Sequence, residues 1–199
     1  SNNIFNIIDK TKKLKIYSKL IGNHNIYNIL AVYCVCRYLR IPNKIFSRAI
    51  TKTLKINGRL DRVPNNRNLH IFVDYAHTPD ALENALNALN KLKNFGRLIT
   101  VFGCGGNRDR LKRPIMGRIA VANSDIVIIT SDNPRFENPL NIIDEIIEGC
   151  KGYDNYLIEE NRRAAILKAL RTARRGDIIL IAGKGHEDYQ IIGNKVLQF

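Results

Sequence analysis

From about Asp61 onward, short apolar runs alternate with segments whose apolar residues recur at helical spacing, which restricts this part of the chain to a parallel sheet covered by helices on both faces. His70 to Asp74, Leu98 to Phe102, Asp125 to Ile129 and Asp177 to Ala182 read as buried strands, and Tyr156 to Ile158 as a shorter one. Pro79 to Lys91 reads as a helix, with proline in its first turn and Leu82, Ala85, Leu86 and Leu89 along one face. Pro114 to about Ala122, Pro139 to Glu148 and Arg162 to Arg174 follow as helices, the last two stopping near Gly149 and Gly176. Ile191 to Val196 is expected to be a hairpin closing on an edge of the sheet.

The first part differs. Asn25 to Leu39 and Asn43 to Leu54 read as helices, with Ile16 to Ile21 as a strand before them, and two helices with one strand cannot bury a core alone. Residues 1–58 are therefore expected to be the tail of a preceding domain, joined to a domain over 59–199 through Asn57-Gly58-Arg59.

The chain is 45% hydrophobic, yet no apolar run approaches the roughly 18 residues of a membrane span, and Ser1-Asn2-Asn3 lacks a secretory pattern; a cytoplasmic location without a membrane partner is expected. Cys34, Cys36, Cys104 and Cys150 have no paired spacing and no neighbouring histidines, so they are expected to be reduced thiols, and no metal site is expected within the chain. The formal charge of +14 invites a polyanionic partner. The Lys and Arg are scattered, however, with no aromatic-interleaved stripe, so no nucleic-acid partner is expected.

Polar motifs follow four of the strands. These are Asp74-Tyr75-Ala76-His77-Thr78, Gly103 to Asp109, Thr130-Ser131-Asp132-Asn133-Pro134-Arg135 and Gly183 to Asp188. In an open parallel sheet the carboxyl ends of the strands form the ligand crevice, so the four loops are expected to converge on one site. The third loop suits a zwitterion. Asp132 can hold an ammonium, Asn133 can donate and accept, and Arg135 can grip a carboxylate through two parallel N–H bonds, while Pro134 fixes the turn. The glycines of the second loop and Gly183-Lys184-Gly185 match neither a dinucleotide fingerprint nor a P-loop. Arg108, Arg110, Lys112 and Arg113 form a positive cluster beside them. Read singly, these residues have plainer alternatives: a solvated basic loop, His77 capping a helix, His186 as a loop histidine, and Asn25 as a helix cap.

Together the motifs resemble the Mur ligases. The strings are Asn57-Gly58-Arg59-Leu60-Asp61, Val73 to Glu83, Val101 to Asp109, Lys112 to Gly117, Ser131 to Arg135 and Ala182 to Gln190, and the resemblance runs from about Ile21 to the end. It implies a Rossmann-like C-terminal ligase domain preceded by the tail of a central ATPase domain. It also implies ATP-dependent addition of an amino acid to UDP-N-acetylmuramoyl-L-alanyl-D-glutamate in peptidoglycan synthesis, through an acyl phosphate, by an enzyme expected to be a monomer. The Asp-Asn-Pro-Arg string goes with meso-diaminopimelate, whose second carboxylate gives Arg135 a partner that lysine lacks.

By matching position, Arg108, Asp132, Asn133, Pro134, Arg135, Gly183 and Glu187 are expected to bind meso-diaminopimelate. Asn25, Asn28, Arg59, Asp74 and His77 are expected to border ATP, and Glu187 and His186 are the candidate proton acceptors. The family's P-loop, Mg²⁺ ligands, carbamylated lysine and UDP-binding domain have no counterpart in these 199 residues, and the family usually continues beyond the equivalent of Phe199 with acidic residues and a short helix. The resemblance thus implies a C-terminal fragment or a truncated gene product that does not turn over alone. The alternatives are a lysine-adding ligase of the same family and a non-catalytic diaminopimelate-binding module.

Overall fold

The computed structural model describes residues 3–9 and 12–198. They divide into two compact units, Ser1–Ile56 and Asn57–Phe199, and each is taken by itself.

The first unit holds an antiparallel hairpin, β1 (Asn3–Asp9) and β2 (Lys12–Ser18), followed by α1 (His24–Tyr38) and α2 (Asn43–Lys52). The sequence reading had a single strand at Ile16 to Ile21. The hairpin escaped notice because only Ile7 of β1, and Ile16 and Ser18 of β2, are buried, too few to mark a period-two pattern. Ile7, Ile16, Ile29, Tyr33 and Phe46 form a small core, with the Tyr33 ring edge-on to Phe46.

The second unit is a six-stranded sheet in the order β3-β4-β8-β5-β6-β7, formed by β3 (Asp61–Val63), β4 (His70–Asp74), β5 (Leu98–Phe102), β6 (Ile126–Ile129), β7 (Tyr156–Ile158) and β8 (Ile178–Ala182). All pairings are parallel except β3 with β4, so this is the expected α/β sheet with one antiparallel edge strand. Because strand side chains alternate, Ile99 and Val101 of β5 join Ile71, Ile128 and Ile179 against Ala165, Ala169 and Ala173. Those alanines lie on or just beyond α6 (Arg162–Thr172). The buried apolar residues of α3 (Pro79–Asn90), α4 (Lys112–Asn123) and α5 (Pro139–Ile147) include Leu82, Leu86, Met116, Ala120, Ile142 and Ile146.

Local chemistry sets the helix starts. Thr78 accepts from Ala81 N, Asn138 from Leu140 N and Asn161 from Ala164 N, each capping a helix. Of the plainer alternatives, the two capping ones do not hold. His77 does not cap α3, because the shorter Thr78 hydroxyl does. Asn25 lies inside the first turn of α1, behind Asn23 at the cap position, and its Nδ2 donates to Ile21 O at 2.7 Å.

The hairpin β9 (Tyr189–Ile192) and β10 (Lys195–Gln198) is also placed differently from expectation. It forms a sheet of its own and does not extend the six-stranded one. Among its links to the rest are a parallel bridge from Ile192 to Arg135 and hydrogen bonds from Gln190 and Ile191 to the loop after β6. The cysteines are free thiols, and burial pushes Cys104 up to about 12 and Cys150 to about 11, so both are inert at neutral pH. Among the described residues, no helix is long and apolar enough to cross a membrane.

Candidate active site at the carboxyl ends of the strands

The loops after β4, β5, β6 and β8 do converge, and glycines set how closely. A Cβ on Gly103 would lie 2.0 Å from Thr130 O, and one on Gly106 would lie 1.9 Å from Pro134 O. The β5 loop therefore rests directly on the β6 loop, joined by Gly106 N donating to Asn133 O at 2.9 Å. No residue with a side chain fits at either position.

Arg135 lies across this seam. Its Nη1 donates to Gly106 O at 2.8 Å and to Asn133 O at 3.4 Å, and it would sit 2.9 Å from a Cβ on Gly105. Arg108 also borders Gly105, its Cγ at 3.8 Å from the same point. Both bonds of Arg135 use Nη1, which leaves the Nε/Nη2 edge for the side-on, two-bond grip of a carboxylate. The Arg135 backbone is held at φ 52°, in the left-handed region that a residue with a side chain seldom adopts. The β9–β10 hairpin keeps it there: Arg135 N donates to Ile191 O at 3.0 Å, and Gly193 N donates to Arg135 O at 2.6 Å.

The positive cluster after Gly106 is not one surface. Arg113 is buried, gives two bonds to Glu137 at 2.8 and 2.9 Å and one to Glu145 at 2.8 Å, and donates to Gly105 O at 3.2 Å. Burial opposes its charge, but the two carboxylates outweigh this and raise its pKa above the usual arginine value. The Arg113 guanidinium, helped by Asn107 N, holds the Glu137 carboxyl down at about 2 against a modest burial penalty. Arg110 pairs with Glu145, and Lys112 donates to His77 O at 2.7 Å. Arg108 alone of the four is exposed without an ion pair among the described residues.

Beside Arg135 lies a buried polar network. Asp132 is 7% exposed, Asn133 6%, Lys184 3% and Arg162 2%. Lys184 Nζ donates to Asn133 Oδ1 at 2.8 Å and stands 3.3 Å from Asp132 Oδ1. Asn133 Nδ2 donates to Glu187 Oε2 at 3.3 Å. A Cβ on Gly183, which adopts φ 114°, would fall 3.4 Å from Asp132 Oδ2 and 3.8 Å from Arg162 Nη2. Asp132 thus faces internal cations, and the ammonium holder expected from sequence is already partly balanced. Pro134 is buried, and its carbonyl accepts from Glu137 N at 3.0 Å. A cavity of about 950 Å³ beside the start of α6 borders Ser131, Pro134, Arg162 and Gln190 of this network.

The β4 loop approaches from the other side. Asp74 is buried, and its Oδ2 accepts from Leu60 N at 2.7 Å and its Oδ1 from Ala76 N at 2.8 Å, which ties the segment after Gly58 to the end of β4. The Arg59 guanidinium lies 4.9 Å over the Tyr75 ring, His77 meets that ring edge-on at 4.7 Å, and His186 lies 5.7 Å from it. His77 Nδ1 donates to Tyr75 O at 2.8 Å, which in the neutral ring leaves Nε2 as an acceptor. Burial, then the charge of Glu187 and a hydrogen bond to it, raise the Tyr75 pKa. Tyr75 therefore links the Arg59 and His77 group to Glu187. Gly58 and Gly185 make this fit possible, since a Cβ on Gly58 would lie 2.4 Å from His186 N and one on Gly185 would lie 2.7 Å from the Tyr75 Cβ.

In the first unit, Asn28 Nδ2 donates to Asn25 Oδ1 at 3.2 Å, so the two asparagines form one hydrogen-bonded pair, with Asn25 buried and Asn28 exposed. Among the described residues, no group of three or more His, Cys, Asp or Glu is gathered as a metal site. Sequence reasoning gave no role of their own to Tyr75, Glu137 or Lys184, and placed Arg113 only within the basic cluster. The available signals were a lysine between two glycines after a buried strand, and a glutamate two residues beyond Arg135.

A parallel sheet with ligand loops at its carboxyl edge, an arginine presented over glycines and a carboxylate-rich network beside it define a class of ligand-binding α/β domain. The model of the Mur ligase glutamate ligase domain matches residues 58–185, and the chain belongs to the Mur ligase family. It is 48% identical over 197 residues to the UDP-N-acetylmuramoyl-L-alanyl-D-glutamate–2,6-diaminopimelate ligase of Clostridium botulinum, a match covering 98% of this chain and 40% of the relative. The enzyme of the same name from Clostridioides difficile is 44% identical over 190 residues, covering 95% and 39%. A solved structure of a ligase with that name superimposes with a TM-score of 0.69 at 35% identity, over 98% of this chain and 40% of its own. Folylpolyglutamate synthase of Mycobacterium tuberculosis shares the fold, with a TM-score of 0.68 at 20% identity, covering 90% of this chain and 44% of its own. The chain spans about 40% of the length of the curated relatives it matches.

Proposed function

We propose that this chain carries the acceptor-amino-acid site of an ATP-dependent ligase that joins meso-diaminopimelate to UDP-N-acetylmuramoyl-L-alanyl-D-glutamate, a cytoplasmic step of peptidoglycan synthesis. The observation that carries the reading is Arg135, held over Gly105 by backbone carbonyls with one edge of its guanidinium uncommitted. The names of the relatives support the same substrate. ATP, with Mg²⁺, supplies the phosphoryl group that activates the peptide carboxylate: a carboxylate oxygen takes the γ-phosphoryl, ADP departs, and an acyl phosphate results. The amine lone pair of the amino acid then attacks the acyl carbon, and the tetrahedral intermediate expels phosphate to leave an amide.

The residues of this chain bind and orient. Arg135 and Arg108 bracket Gly105 and suit the carboxylate remote from the reacting amine. Glu187, anchored by Asn133 and Tyr75, suits the ammonium and takes the proton that the amine must lose before it attacks. His186 is exposed beside Tyr75 and less fixed, so Glu187 is the preferred base. Arg59, braced on the Tyr75 ring, suits the phosphates, and His77 Nε2 suits a ribose hydroxyl. Asp74 contributes by holding Leu60 and Ala76, which set the places of Arg59 and His77. Asn25 and Asn28 present a fixed amide pair that suits the adenine end of ATP.

Calorimetry of the chain with meso-diaminopimelate and with L-lysine tests this. The dicarboxylate is expected to bind at least about tenfold more tightly, a preference worth about 1.4 kcal/mol, and Arg135→Ala is expected to abolish the difference. Equal affinity of the unaltered chain for both ligands would refute the assignment.

A further inference from the structure

Lys184 is placed where the loops after β6 and β8 meet the β9–β10 hairpin. Its side chain is 4% exposed, and Nζ donates to Asn133 Oδ1 at 2.8 Å and to Tyr189 O at 2.6 Å, with Asp132 Oδ1 at 3.3 Å. An ammonium has three donors, and these partners are oxygens from three different residues.

Two consequences follow for the neighbours. Asn133 Oδ1 accepts from Lys184 Nζ and, at 3.0 Å, from Ile191 N, so the amide has one workable orientation, with Nδ2 toward Glu187. Reversing it would set an NH₂ group against two buried donors and leave them unsatisfied. The second consequence concerns charge. Asp132 and Glu187 are both carboxylates near the proposed ammonium position, and two equal claims on one ammonium would leave its place undefined. Lys184 lies against Asp132, and the buried Arg162, whose Nη2 donates to Ala182 O at 2.7 Å, also feels the Asp132 charge. Glu187 acts on Lys184 and Arg162 less than Asp132 does, and its carboxylate meets the Asn133 amide and the Tyr75 hydroxyl.

Resting on the functional reading above, we propose that Lys184 is a positioning residue for the acceptor amino acid: it locks the Asn133 amide and balances Asp132 from within, so that the incoming ammonium goes to Glu187. Burial lowers the Lys184 pKa and Asp132 opposes that, as a lysine held for its charge inside a protein requires.

Lys184→Met removes the ammonium and keeps most of the stem. In the ligand-free chain, the side-chain amide NMR signals of Asn133, identified by their loss in Asn133→Asp, are expected to shift in Lys184→Met while those of Asn155, bonded to Val121 and Ser124 carbonyls, stay in place. Affinity for meso-diaminopimelate is expected to fall at least about tenfold. Lys184→Met with Asp132→Asn removes the carboxylate left unbalanced, so it is expected to regain thermal stability without regaining affinity, and it takes over both measurements if the single variant does not fold. Unmoved Asn133 signals, or affinity within about twofold of the unaltered chain, would overturn the proposal. If the unaltered chain fails to bind diaminopimelate, the functional reading falls, and the amide signals still decide whether Lys184 positions Asn133.

Discussion

Arg113 and Arg135 are the same residue type 22 positions apart, and they end in opposite surroundings: one enclosed by two carboxylates, the other resting on the Gly106 and Asn133 carbonyls with an edge to spare. Sequence distinguished Arg135, because a proline-fixed turn after a buried strand announces a presented side chain. It could not distinguish Arg113 from Arg108, since the partners that bury Arg113 lie 24 and 32 residues away. The same distance hid Lys184, whose Asn133 partner is 51 positions back. The Arg113–Glu137 pair makes a testable contribution. Glu137 is held at about 2 against an ordinary 4.5, so its stabilisation is fully present above about pH 4.5 and is lost as pH falls toward 2. Its side chain is 24% exposed, and solvent screening reduces the effect to an order of 2 kcal/mol. In denaturant unfolding across a pH series, Glu137→Gln is expected to be less stable than the unaltered chain by roughly this amount at pH 7, with the gap narrowing toward pH 2. A gap independent of pH would contradict this account of the pair.

At the scale of elements, the central strands were legible because parallel strands buried on both faces read as continuous apolar runs, and β4 and β5 fall where periodicity puts them. Of the short or half-exposed strands, β7 was legible and others were not. β3 has three residues, and the β1–β2 hairpin buries too few side chains to show alternation. The β9–β10 hairpin was recognised as a hairpin but misplaced, because turn chemistry fixes a local shape and says nothing of its docking partner. Its partner is Arg135, so an element expected at the sheet edge instead stabilises a strained residue of the site. The seam between the β5 and β6 loops depends equally on what is missing, a side chain at Gly106. Gly106→Ala forces a methyl against Pro134 O and is expected to cost about 2–4 kcal/mol. Gly152→Ala, with open space around it and only a φ of 85° to strain, is expected to cost about 1 kcal/mol. Thermal denaturation of the two variants compares them, and equal losses would mean that the loops do not meet as closely as described.

At the scale of the whole molecule, two compact units meet in sequence at Ile56 and Asn57, two residues before the boundary expected from the Asn57-Gly58-Arg59 string. The larger unit places all four motif loops on one edge, and this convergence makes individually ordinary residues into a site. A Tyr75-centred group joins the Arg59 and His77 side of that edge to Glu187, and Lys184 joins Glu187's anchor, Asn133, to Asp132. The larger unit thus presents one connected edge, with the groups proposed to face phosphate at one end and those proposed to face the dicarboxylate at the other. The most direct test is a crystal structure of the chain with meso-diaminopimelate bound. The account predicts one carboxylate of the ligand side-on against Nε and Nη2 of Arg135 and an ammonium on Glu187. Ligand bound elsewhere, with Arg135 still on Gly106 O and its open edge in solvent, would contradict it.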